Sequence, residues 1–162
     1  MKKRNTWKHV IIALASVFVL INLLWGFFVL RCILIRNHIP YNRIQNGHII
    51  HDDAEGYIYG GFDEFHYLSF RAEGYISGYS VDKMGHDFLN ISYDFIHGFR
   101  FRYVYEAGAY NPYDGLRKGE VYEFFFDKKH NLRQSNSSVS YETFREAAEA
   151  MFERARRTWG IK

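Results

Sequence analysis

Val10-Ile11-Ile12-Ala13-Leu14-Ala15-Ser16-Val17-Phe18-Val19-Leu20-Ile21-Asn22-Leu23-Leu24-Trp25-Gly26-Phe27-Phe28-Val29-Leu30 runs without a charge from end to end. Coiled as a helix it reaches about 30 Å, the thickness of a bilayer's hydrocarbon layer. Working outward, the sequence divides into a basic tail (1–9), a transmembrane signal-anchor helix (10–36), a connector (37–46) and an extracytoplasmic domain (47–162).

Lys2, Lys3, Arg4 and Lys8 precede the apolar run, and Arg31, Arg36 and Arg43 follow it. The positive-inside rule counts cations near the span, so the small excess before it predicts a cytoplasmic N-terminus and a single-pass cell-membrane protein. A cleaved signal peptide fits poorly. Its apolar core runs about 7–15 residues and ends in small residues, whereas this run is longer and ends at Val29-Leu30-Arg31. Arg31 also stands where a lipid-attachment cysteine at position 32 would need a small neighbour.

Two residues of the helix are candidates for membrane association. Asn22 carries an amide into lipid, where it would join helices by hydrogen bonding and give a homo-oligomer through the span. Cys32 is the only cysteine. No intramolecular disulfide exists, and the residue reads as a half-buried thiol at the membrane edge or as a link between two chains.

The chain has 162 residues and net charge +3, but the charge is split. All 18 acids lie after Pro40 against 15 Lys and Arg, leaving the domain at −3, while the first forty residues carry +6. The basic balance is therefore a topology signal. It is not a nucleic-acid footprint, which requires a basic face on the domain itself. All 13 tyrosines also follow Pro40. Aromatic and β-branched residues punctuated by glycine predict an antiparallel sheet with short turns.

Along the domain, His48 to His51 predicts a first short strand. Ala54-Glu55-Gly56-Tyr57-Ile58 recurs as Ala72-Glu73-Gly74-Tyr75-Ile76, and Glu64-Phe65-His66-Tyr67-Leu68-Ser69-Phe70 is echoed by Asp87-Phe88-Leu89-Asn90-Ile91-Ser92-Tyr93. This predicts two successive hairpins of one type. Turn chemistry at Asp82 to His86 closes the second.

Phe99 to Glu106 alternates strictly, with Phe99, Phe101, Tyr103 and Tyr105 on one face and Arg100, Arg102 and Glu106 on the other. Ala107 to Lys118 reads as a loop with its turn core at Asn111 to Gly115. Glu120 to Asp127 is a strand, and a short last strand falls near Leu132 to Gln134. A final helix begins at the N-cap Ser140, carries an apolar stripe (Tyr141, Phe144, Ala147, Ala148, Met151, Phe152, Ala155, Trp159), and ends at Gly160. The fold class is α+β: an N-terminal transmembrane helix, a meander of about six to seven strands, and one C-terminal amphipathic helix covering the sheet.

The chemistry-bearing candidates are few. His48-x-x-His51-Asp52 has metal-binding residue types without the helical frame of zinc hydrolases, and strand parity would separate residues 48 and 51. No nucleophile elbow, phosphate loop or Cys/His pair occurs, and no cofactor is implied. Asn90-Ile91-Ser92 and Asn136-Ser137-Ser138 match the glycosylation acceptor. Tyr57, Tyr59, Tyr75 and Tyr79, taken as same-face positions of two strands, would form a binding platform for a protein, peptide or glycan when exposed and ordinary core when buried.

Two functions are compatible with these features. One is a membrane-anchored, non-enzymatic interaction domain, such as an accessory of a cell-envelope complex or an immunity-type inhibitor. The alternative is a small metal-dependent hydrolase using His48, His51 and Asp52.

Overall fold

The computed structural model describes residues 3–38, 41–45, 48–67, 70–79, 85–108 and 119–161, with the side chains at 3–6, 43, 45, 48, 49, 63, 64, 66 and 79 outside the described set. The elements are α1 (Lys3–Arg36), β1 (Arg43–Gln45), β2 (His48–Asp52), β3 (Tyr57–His66), β4 (Arg71–Tyr79), β5 (Gly85–Asp94), β6 (Gly98–Ala107), β7 (Val121–Phe126), β8 (Leu132–Ser135) and α2 (Arg145–Trp159). A 3-10 turn, Tyr141–Phe144, leads into α2. The eight strands form one antiparallel meander in sequence order. The α+β layout is as expected, with one strand more than the upper count.

The extra strand is β1, which the sequence reading assigned to the connector. Three residues show no alternation. The strand is held instead by β2 and by Asn42, whose amide donates to the Asp52 carbonyl (3.0 Å) and accepts from the Asp52 N–H (3.1 Å).

The internal echo does not describe two like hairpins. Tyr57-Ile58 and Phe65-His66 lie in the single strand β3, which is bulged between Gly61 and Phe65. Gly56 sits in a turn at φ 84°, while its echo Gly74 sits mid-strand. The glycine at 74 has its own reason: a Cβ there would fall 2.5 Å from the Phe62 ring, which the bulge turns into the core. Only the second copy forms the expected hairpin, β4–β5. Of the turn expected at Asp82 to His86, Gly85 and His86 belong to β5; residues 82–84, the turn core at 111–115 and Pro40 lie outside the described residues.

Both helices pack on one face of the sheet. α2 buries Ala148, Met151, Phe152, Ala155 and Trp159, as its stripe predicts. Ser140 Oγ caps the preceding turn by accepting from the Glu142 N–H (3.3 Å), and Gly160 ends the helix in the left-handed region at φ 63°.

α1 contributes to the core of the sheet domain. Phe28 and Cys32 are fully buried in the common core, with Trp25, Val29 and Ile35 packed beside them. Phe28 stacks on Tyr93 at 5.7 Å. The domain as read from the sequence, 47–162, thus leaves out helix residues that complete its core. Cys32 is wholly enclosed, not half-buried, so it offers no surface for linking two chains.

Candidate functional site

The sheet's second face carries no helix among the described residues. Strand parity sends Leu89, Ile91 and Tyr93 toward α1 and α2 and sends Phe88, Asn90 and Ser92 the other way. The register then aligns one row across four strands: Tyr75, Asn90, Arg102 and Phe125, continued on β8 by Gln134. A second row holds Glu73, Ser92 and Arg100.

Sheet twist folds these rows into a cleft of about 900 Å³. Six cations line it: Arg71, Arg100, Arg102, Lys128, Lys129 and Arg133. Asp94 and Asp127 also line it, and Glu73 and Glu123 stand at its border. Six cations against four acids leave an excess of two.

The acids are engaged. Asp94 Oδ1 accepts from the N–H groups of Ile96 (3.0 Å) and His97 (2.6 Å) and meets the His97 ring at 2.9 Å. Partial desolvation opposes its charge, but these bonds and Arg100 at 3.8 Å prevail and hold the carboxyl below its ordinary range. Asp127 is treated the same way. Desolvation is outweighed there by the N–H groups of Asn131 (3.0 Å) and Lys129 (2.8 Å) and by the Arg133 guanidinium (2.6 Å). Glu123 is held low first by its hydrogen bond from Arg102.

At the middle of the cleft, Asn90 Oδ1 and Arg102 Nε are shielded from solvent, and neither meets a hydrogen-bond partner among the described residues. The residues are cross-strand neighbours. A buried donor and acceptor left open side by side are costly, so they mark where a further polar group would gain most. The Arg102 guanidinium also lies over the Phe125 ring at 5.8 Å, giving the cleft an apolar wall with a charged rim. In sequence, this cleft is visible only as the wet face of β6 and as the glycosylation acceptor at Asn90 to Ser92. The positions come from five strands, and only register brings them together.

The tyrosines do not form one platform. Cross-strand partners share a face, and Tyr59 pairs with Ile76 whereas Tyr75 pairs with Gly60. Tyr57 and Tyr59 therefore lie on the helix-covered face and Tyr75 on the open one. Tyr59 is buried, and its hydroxyl donates to Asp53 Oδ2 (2.7 Å). Tyr57 lies under the Arg154 guanidinium at 3.6 Å. Arg154 also pairs with Asp53 (3.4 Å) and Glu55, fastening α2 to the β2–β3 turn. Tyr75 stacks on Phe88 at 5.6 Å. The Tyr79 side chain lies outside the described set.

Among the described residues no group of three His, Cys, Asp or Glu side chains converges to hold a metal ion. His51 and Asp52 are consecutive in β2 and so face opposite sides, with the His51 ring 5.8 Å from Tyr59. The His48 side chain lies outside the described set.

In α1, the Asn22 amide donates to the Phe18 carbonyl (2.8 Å) and accepts from the Tyr67 hydroxyl (3.4 Å), so its contacts are to its own helix and to the β3–β4 turn. α1 is one helix long and apolar enough to cross a membrane, with Trp7–Arg36 at mean hydropathy 2.5. Comparison with known protein families, curated proteins and solved structures finds no match for this chain.

Proposed function

We propose that this chain is a bilayer-anchored, non-enzymatic interaction protein. Its basic tail is cytoplasmic, and the sheet domain lies on the extracytoplasmic side and offers its open face to an acidic segment of a partner protein. The observation that carries this reading is the unpartnered Asn90 Oδ1 and Arg102 Nε at the centre of a cleft with a cationic excess. A backbone peptide group placed there would satisfy both atoms, its N–H donating to Asn90 Oδ1 and its C=O accepting from Arg102 Nε, and Arg100 and Arg133 would pair with flanking acids.

The test places a photo-crosslinking amino acid at residue 133 of the full chain in its native membranes. An adduct with one partner, lost in Arg102→Glu, supports the reading. Adducts from the exposed side of α2, at residue 149, with none at 133, would move the function to the helix. Orientation is read separately: a C-terminal alkaline phosphatase fusion is active if the tail is cytoplasmic, and an active cytoplasm-only reporter in its place reverses the topology.

A further inference from the structure

We infer that the domain is seated in the bilayer surface, with the β3–β4 and β5–β6 turns entering the lipid interface on the domain's side. The inference rests on reading α1 as a bilayer-crossing anchor.

Length is the first argument. α1 is free of the sheet only as far as Asn22, which meets Tyr67 of the β3–β4 turn. From Trp7 to Asn22 the helix rises about 22 Å, while a hydrocarbon layer is about 30 Å thick. The free part is too short by about 8 Å. The apolar surface continues past that level: Phe27, Leu30 and Leu34, on the side of α1 away from the sheet, are each more than half exposed. Either the helix leaves lipid early and wets these residues, or the near end of the sheet goes in with it.

The composition of that end decides between these alternatives. In a meander, the β3–β4, β5–β6 and β7–β8 turns lie at one end. The β3–β4 turn presents Tyr67 and Phe70, which pack on Trp25 at 4.8 and 5.4 Å. Phe70 reaches Phe95 of the β5–β6 turn at 6.2 Å, and next to it Ile96 is 84% exposed. An aromatic belt thus runs continuously from the span to the turn tips, which is the chemistry of a membrane–water interface.

The polar groups there fit the same position. Asp94 Oδ1 accepts from the N–H groups of its own turn, and its Oδ2 faces Arg100 at 3.8 Å. The β7–β8 turn adds Lys128 and Lys129, whose long stems suit the headgroup level and anionic lipid.

The experiment uses the full chain in phosphatidylcholine–phosphatidylglycerol vesicles, carrying an environment-sensitive dye on Ile96→Cys or, at the sheet's other end, on Ala54→Cys. Cys32 is fully buried, and the unsubstituted chain gives the labelling background. Spin-labelled lipid should quench the dye at 96 severalfold more than the dye at 54, and aqueous iodide should show the reverse order. Iodide quenching at 96 equal to that at 54 overturns the inference. Shielding at 96 from both quenchers overturns it in favour of a protein cover. Extraction of the unlabelled chain by alkaline carbonate would defeat the anchor itself, an outcome distinct from retention with a wet turn.

Discussion

Along β5, Leu89, Ile91 and Tyr93 meet two helices, while Phe88, Asn90 and Ser92 meet none. The covered face is almost wholly aromatic and aliphatic, with its rings in contact: Phe152 touches Phe126 at 5.0 Å, Phe101 at 5.5 Å and the His130 ring at 4.5 Å. Charged groups enter it at few points: Asp87 is bonded by the Tyr103 hydroxyl, and Arg31 and Arg154 lie over the rings of Tyr93 and Tyr57. The open face mixes ion pairs with aromatic rings. Buried polar atoms without a partner occur on both faces, Asn90 Oδ1 and Arg102 Nε on the open one and Trp159 Nε1 on the covered one. The covered face is packed for stability, and the open face is the one proposed to bind. Substitutions on the two faces should therefore separate stability from association.

The largest effects belong to the covered face. Phe152→Ala and Phe28→Ala should each lower stability by about 3–5 kcal/mol, whereas Phe125→Ala on the open face should cost no more than about 1 kcal/mol. Chemical denaturation of the full chain in detergent, followed by near-ultraviolet circular dichroism, measures all three. Phe28 makes the sharper test. It sits in the apolar helix α1, and an unchanged midpoint would mean that α1 does not complete the domain core.

Arg154→Leu comes next. It removes the cation over Tyr57 and the pairing with Asp53 and Glu55 at the lip of the covered face, at an expected cost of about 1–3 kcal/mol. An unchanged melting temperature would show that α2 needs no fastening there.

Two carboxylates then give opposite pH signatures. Burial raises the Asp87 carboxyl above its ordinary value, and the Tyr103 hydrogen bond offsets this only in part. A raised acid binds its proton more tightly in the folded state. Its contribution is full below the ordinary carboxylate value and is lost as pH rises through the folded one. Asp53 is the reverse. Desolvation is outweighed by the N–H of Tyr57, the hydroxyl of Tyr59, the N–H of Glu55 and the charge of Arg154, so its carboxyl is lowered. Its contribution is full above the ordinary value and is lost as pH falls through the folded one. Asp87→Asn should therefore raise stability at neutral pH, and Asp53→Asn should flatten the acid limb of the melting curve. Identical pH profiles for both variants and the parent would contradict these assignments.

The sequence made one side of this comparison readable. The stripe on α2 and the alternation of β6 name the covered face correctly, because helical and strand periods write burial directly into residue type. The open face is legible only as polarity. Asn90 looks like a glycosylation acceptor in sequence, yet it lies mid-strand beside Arg102, a neighbour twelve positions away that register alone supplies. The tyrosine platform failed for the same reason, since a pairing of Gly60 with Tyr75 puts Tyr59 and Tyr75 on opposite faces. The apolar run Val10–Leu30 reads as a span, but its period hides that Phe28 and, just beyond it, Cys32 face a sheet. A uniformly apolar helix carries no mark of which side is protein.

The smallest expected change in stability is also the most informative about function. The Arg100 side chain is 54% exposed and its nearest acid, Asp94, is 3.8 Å away. Arg100→Glu should shift stability by no more than about 0.5 kcal/mol. It converts one cation of the cleft into an acid, so six against four becomes five against five and the excess disappears. If an acidic segment docks on this face, association should weaken, mostly through a slower on-rate that no longer depends on salt. Arg100→Lys keeps the charge and should retain most of the binding. Melting curves together with crosslinking yield from residue 133 across this pair of variants measure both sides. An intact melt with undiminished crosslinking for Arg100→Glu, repeated for Lys129→Glu, would leave the charge of the open face without a role in binding and return the search to the exposed side of α2.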